Sequence, residues 1–436
     1  MRAAILSIGD ELVLGEAVDS NAPWLATQLG EAGFVTVEHR VVGDDREAIA
    51  RAVLQFTDDV DVLVMTGGLG PTEDDLTRHG LRDAIDPGNA LVVDTQAAEH
   101  LENWFARRGR PMPESNQVQA LRPPSASTLP NPHGTALGLA ATVGRCHLFA
   151  LPGPPREMEP MFERHVRPAI ASADGRNTVV TKTVSCFGLG EALAAERLGG
   201  LLARHNNPVV GITAAESVVT ARIRSQGRRD TAARLVDEVV AKIYNAWHPY
   251  AFGSGDEMLS EVIGRLLHKK KKSVATAESC TGGWLGKLLV DAPGCSEYYV
   301  GGWVSYADDF KVAHLDVAQA TIRDNGAVSA PCVRSMAKGA LLRSGADFAL
   351  AITGIAGPDG GTDAKPLGTV YIALAERVNA MVELRIRHFE FSGNRESIRH
   401  RAAHSALQML RLSLLGVDDS KPMLWERPLA LGAADQ

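Results

Sequence analysis

Residues 273–290 read Ser-Val-Ala-Thr-Ala-Glu-Ser-Cys-Thr-Gly-Gly-Trp-Leu-Gly-Lys-Leu-Leu-Val. The stretch begins β-like (Ser273, Val274, Ala275), narrows to Ser279-Cys280-Thr281-Gly282-Gly283, and continues helix-like from Trp284 to Val290. A strand, a tight turn of small residues and a helix gather backbone N–H groups and a helix N-terminus around one point. That geometry receives a phosphate or a developing oxyanion. Ser279, Cys280 and Thr281 add three candidate nucleophiles. A plain Ser/Thr-capped turn has the same outline, so the neighbouring segments decide.

Around this turn a third α/β unit runs from 256 to 415. It starts with an amphipathic helix (Met258, Leu259, Val262, Ile263, Leu266, Leu267) and alternates helices with apolar strands at 348–352 and 369–375. Val304-Ser305-Tyr306 ends a short strand, and Lys311 follows five residues later. Residues 352–361, with Gly357, carry a strand into a glycine-rich loop, and Ser392-Gly393-Asn394-Arg395 precedes a helix bearing Arg399. A serine hydroxyl needs a base, which a lysine kept neutral by desolvation supplies. A tyrosine relays the proton or holds the lysine, and an arginine pairs with a phosphate or carboxylate. Taken singly, each residue also suits a core tyrosine, a surface lysine or helix-surface arginines.

Residues 1–170 alternate strand and helix: strands at 3–8, 35–42 and 60–66, helices at 21–33 and 46–57. This order predicts a parallel sheet covered on both faces, with ligands beyond the strands' carboxyl ends. One such end is Thr66-Gly67-Gly68-Leu69-Gly70-Pro71-Thr72, followed by Glu73, Asp74 and Asp75. Glycines let backbone approach a phosphate, and adjacent carboxylates suit a hydrated divalent cation bridging to it. Asp10, Glu11 and Asp44 stand at other strand ends and complete a candidate metal-assisted site. Acids in the first turn of a helix would look the same.

Between these units, 121–155 reads as long ordered loops, and 175–250 as a small α+β domain without a chemical constellation. Residues 416–436 read as a loosely held tail. With 436 residues the chain suits several domains, and a net charge of −7 argues against a nucleic-acid partner. The basic run Lys269 to Lys272 reads as a solvated corner. No signal peptide or membrane span is evident, and five widely spaced cysteines without CxxC suit a reducing cytoplasm.

GDELVLGEAVDSN, VVGDD, TGGLGPTEDDLTR, NPHGTALG and LPGPPREM, in this order, resemble the molybdopterin-binding-like domain of the CinA (competence/damage-inducible protein) family. That domain is similar in fold to the MoaB/MogA and MoeA molybdenum-cofactor enzymes. TAESCTGG, GGWVSYADDFK, GAVSAPCV, ITGIAGPDGGTDAKPLGTVYIA and FSGNRESIRHRA resemble the C-terminal CinA domain, also found alone as the nicotinamide mononucleotide (NMN) deamidase PncC.

The resemblance implies a cytoplasmic, homodimeric pyridine-nucleotide salvage enzyme without a nucleic-acid or membrane partner. Its C-terminal site would hydrolyse the amide of NMN without a cofactor. Ser279 would be the nucleophile, Lys311 and Tyr306 base and relay, and Thr281, Gly282, Gly283, Gly357, Arg399 and Arg395 would contact substrate. Its N-terminal site would be an ADP-ribose pyrophosphatase using a divalent metal (Mg, Co or Mn). Thr66, Gly67, Gly68, Gly70, Thr72 and Asp74 would line the nucleotide pocket; Asp75, Asp74, Asp10, Glu11 and Asp44 would serve the metal. Cys280 should point into packing. Asp308 and Asp309 should face away from the pocket, since a paired lysine stays charged. Two other readings compete: a molybdopterin-handling enzyme and a non-enzymatic nucleotide sensor.

Overall fold

The computed structural model describes residues 1–170, 178–255, 257–379, 381–417 and 421–429. The expected boundary between 170 and 175, residue 256 and the last seven residues of the tail lie outside them. The chain forms two compact units: Met1–Val180 with Ser225–Leu235, and Thr181–Arg224 with the chain from Val236 onward.

In the first unit a six-stranded sheet runs in the order Val35–Val42, Arg2–Ile8, Val62–Thr66, Cys146–Leu151, Gly138–Val143, Ser127–Leu129. The first four strands are parallel. The last two are antiparallel, where the sequence suggested a parallel sheet and, over 121–155, ordered loops with apolar segments (137–143 and 147–151) between them. Alternation explains the two-sided burial. Leu6, Leu63 and Met65 meet Ile49, Val53, Phe56 and Leu81 on one face. Ile5, Val62 and Val64 meet Leu25, Leu29, Met158 and Phe162 on the other. The chain leaves Arg2–Ile8 to one side and returns on the other, so a topological switch point lies beyond Ile8 and Thr66.

The middle sheet runs Val209–Ala215, Val218–Gly227, Thr178–Phe187, Ala251–Gly253. The helix predicted over 191–205 is shorter: Glu191–Leu198 is α-helical, and a tighter turn follows over Gly199–Leu202.

The C-terminal sheet runs Tyr299–Val304, Val274–Glu278, Phe348–Gly354, Thr369–Val378, Met381–Glu390, Glu426–Arg427. Its first three strands are parallel and the rest antiparallel. Small side chains (Ala277, Ala349, Ala351, Ala373, Ala375) let the helix Ala330–Ser344 pack close, with Val333, Met336 and Leu341 inward. The loosely held tail is corrected. Met423 is buried, Pro422 O accepts the Tyr250 hydroxyl at 2.7 Å, and Glu426–Arg427 pairs with His388 and Phe389. Apolar burial and strand pairing outweigh its proline and glycine content.

Candidate functional site

Val274–Glu278 lies between two parallel neighbours, so its carboxyl end is a switch point, and Ser279 stands there. Ser279 N donates to Ile352 O at 3.0 Å, and Ser305 N donates to Glu278 O at 2.7 Å. Three strand ends thus converge on the turn. Ser279 is 8% exposed.

Sequence reading missed the residue that organises this turn. Glu278, 1% exposed, accepts N–H bonds from Gly283 (3.0 Å), Leu285 (3.0 Å) and Gly286 (2.8 Å). Gly282 N donates to Ser279 O, and Trp284 N to Thr281 O. The helix Trp284–Asp291 therefore starts with its amides satisfied by the chain's own carboxylate. The amides of Gly282 and Gly283, expected to receive an oxyanion or phosphate, are already engaged: a correction. The sequence carried one sign of this, an acid at the strand end just ahead of the helix.

Arg399 Nη2 donates to Thr281 O at 2.8 Å, and its Cζ lies 5.1 Å from the Trp284 ring centre. Arg395 Nη1 donates to Gly357 O at 2.5 Å, tying the 352–361 loop to the same helix. The arginines, Thr281, Gly282 and Gly357 are thus drawn to one strand end. Thr281 Oγ1 and Arg399 Nε are buried there without a hydrogen-bond partner. Cys280 is buried, and burial pushes its thiol up to about 12.

Lys311 is 1% exposed, and its ammonium donates to Tyr306 O (2.8 Å) and Asp308 Oδ1 (3.3 Å). Two expectations change here. Tyr306 holds the lysine by its carbonyl, and the residue is 61% exposed. Asp308 pairs with the lysine instead of facing away, because one helical turn separates them.

In the first unit a cavity of about 530 Å³ opens at the switch point, lined among others by Glu11, Asp44, Thr66, Gly67, Gly68, Gly70, Asp74 and Asp75. Asp75 accepts N–H bonds from Gly70 (2.6 Å) and Thr72 (2.8 Å) and the Thr72 hydroxyl, so it braces the loop from inside. Behind the loop, buried Arg78 donates to Leu69 O and Gly70 O, and Thr77 to Gly67 O. Burial lowers the Arg78 guanidinium to about 10. Asp10 and Asp44 exchange backbone-to-carboxylate bonds at 3.0 Å. Burial raises the Asp44 carboxyl, and the charges of Asp10, Glu11 and Asp74 add to this. Among the described residues no three His, Cys, Asp or Glu side chains form a metal-holding group. The five carboxylates therefore do not make a cage. The negative field at Asp44 suits a hydrated cation that brings its own phosphate ligands and takes one or two carboxylates. Asp75, engaged with its own loop, is not free for that role.

Both units thus define a multidomain α/β protein with a candidate site at each parallel-sheet switch point. Residues 4–172 match the family described as probable molybdopterin binding domain, 181–253 the damage-inducible protein CinA KH domain, and 256–414 the CinA C-terminal domain. A putative competence-damage inducible protein of Symbiobacterium thermophilum is 42% identical over 96% of this chain and 100% of its own length. A CinA-like protein of Geobacter sulfurreducens is 39% identical over 95% and 100%. The solved CinA superfamily protein of Klebsiella pneumoniae is 35% identical, covering 36% of this chain and 96% of its own at a TM-score of 0.34. The chain belongs to the CinA family. No helix among the described residues is long and apolar enough to cross a membrane.

Proposed function

We propose that the Ser279 site hydrolyses the carboxamide of NMN to nicotinate mononucleotide and ammonia. The observation that carries this reading is a nearly buried serine at one strand end, a buried lysine on the helix that follows the adjoining strand, and a guanidinium bonded to the serine's own turn. Ser279 Oγ adds to the carboxamide carbon as its proton passes to the Lys311 amine. The C–N bond breaks, the nitrogen takes that proton and leaves as ammonia, and an acyl-serine remains. Water then repeats the addition and frees the carboxylate. For this the lysine must release Asp308, whose side chain is 54% exposed and free to turn to water. With the helix amides held by Glu278, Thr281 Oγ1 and Arg399 Nε are unpartnered side-chain groups beside the turn that can meet the substrate. Ammonia release from NMN by the purified chain, with and without Ser279, tests the reading.

For the first unit we propose metal-dependent hydrolysis of the ADP-ribose pyrophosphate, supported by the cavity over the glycine turn and the carboxylates around Asp44. Asp44 and Asp74 would hold the cation, which supplies charge neutralisation on the phosphates. ADP-ribose and molybdopterin turnover, assayed side by side, separate this reading from a molybdopterin-handling enzyme. A chain inert towards NMN and ADP-ribose would favour a sensor.

A further inference from the structure

Neither candidate site takes a residue from the middle domain. Its strands Val209–Ala215 and Val218–Gly227 pair antiparallel and are joined by Glu216-Ser217. Both residues adopt left-handed backbone, with φ of 47° and 72°. Such a two-residue turn normally selects glycine or asparagine. Here it carries two side chains that reach the helix Arg395–Leu415. Glu216 Oε2 lies 3.2 Å from His400 Nε2, and Arg401 Nε donates to Ser217 Oγ at 2.8 Å.

From His400 the packing leads to the nucleophile turn. The His400 ring meets Trp284 edge-on, with centres 5.9 Å apart and planes at 87°. Trp284 in turn offers its face to Arg399, whose Nη2 bonds Thr281 O. Arg399 Nε has no partner, so the Trp284 face and one carbonyl set how the guanidinium lies. A long, flexible side chain held by so few contacts depends on the packing behind it.

We propose that the Glu216-Ser217 turn is a positioning element for the Ser279 site, acting through His400 and Trp284 on Arg399. The middle domain would thereby set how well the C-terminal site grips its nucleotide. The inference rests on the deamidase reading for its substrate and on geometry alone for the linkage.

The test compares the full-length chain with a Glu216→Ala/Ser217→Ala double variant and with conservative Glu216→Gln. KM and kcat for NMN are measured, together with hydrogen–deuterium exchange of the segment 281–286. The double variant is expected to raise KM about tenfold with kcat within about twofold, as loss of a uniform binding contact does. Exchange at 281–286 should quicken, and Glu216→Gln, which keeps a hydrogen bond to His400, should restore most of the KM. Glu216 is largely exposed, and the Glu216→Ala single variant serves should the double variant not fold. With an active wild type, an unchanged KM overturns the proposal. A wild type that releases no ammonia overturns the deamidase reading instead. The positioning role then stands or falls on the exchange at 281–286.

Discussion

The Glu278 carboxylate takes the Gly286 backbone N–H at 2.8 Å, two residues inside the helix that opens after the nucleophile turn. Asp75 does the same at the other switch point, accepting from Gly70 and Thr72 within the glycine turn. In both units an acid of the chain itself takes several of the amides that a strand–turn–helix outline offers to a ligand. Side chains then carry more of the ligand contact: Arg399 and Arg395 in one unit, and in the other the carboxylates around Asp44, whose negative field would draw a cation to the phosphates.

Glu278→Gln keeps an acceptor but loses the charge that three amides share. Hydrogen bonds to a charged group are worth about 1.5–3 kcal/mol each, and the loss is partial. Stability should fall by about 2–4 kcal/mol, read from urea midpoints. NMN deamidation should fall at least tenfold as the Ser279 turn loosens. Unchanged values on both counts would show that the amides find other partners.

Ser279→Ala is expected to lower ammonia release by several orders of magnitude, as loss of a nucleophile does. Cys280→Ala should retain most of it. A thiol raised to about 12 by burial holds almost no thiolate between pH 6 and 9, so iodoacetamide should label Cys280 far more slowly than half-buried Cys295. Rapid inactivation through Cys280 would reverse the assignment.

Lys311→Arg keeps the positive charge and the contact with Asp308 but cannot yield a proton in the working range. It should abolish deamidation. Asp308→Asn removes the carboxylate that engages the Lys311 amine, and should raise the rate at pH 7 when Lys311 is the base. Near-full activity in Lys311→Arg would make the lysine a fixed charge and send the search elsewhere.

Chelation should separate the two activities. EDTA is expected to stop ADP-ribose hydrolysis and leave ammonia release from NMN within error, because a serine–lysine mechanism needs no metal. Asp44→Asn should mimic EDTA. Equal loss of both activities would show the chemistry wrongly divided between the units.

His404 gives a pH signature. Burial, reinforced by neighbouring His400, lowers it from 6.5 to about 4. The folded chain keeps it neutral while the unfolded chain protonates it. Its stabilising contribution is therefore complete above pH 6.5 and declines as the pH falls towards 4. By pH 4.5 the loss is about 2–3 kcal/mol. His404→Phe, which keeps a ring against Phe187, should shrink the stability drop between pH 7 and 4.5 by that amount, measured by urea unfolding.

Sequence alone determined the alternating strands and helices of the N-terminal unit. Val62–Met65 is apolar throughout because both faces are covered, and that leaves a mark in composition. It also determined that Ser279, Thr66 and Gly67 stand at strand ends, since a glycine turn after an apolar run is a local property. Only the tertiary structure decided what surrounds them. That Glu278 and Asp75 turn back onto their own loops, that Asp308 reaches Lys311, and that Glu216 reaches His400 across 184 residues of chain depend on side-chain direction and packing. The two antiparallel strands at the end of the first sheet and the docked 421–429 segment were hidden for the same reason. Their prolines and glycines punctuate the chain locally, while burial against distant partners sets their conformation.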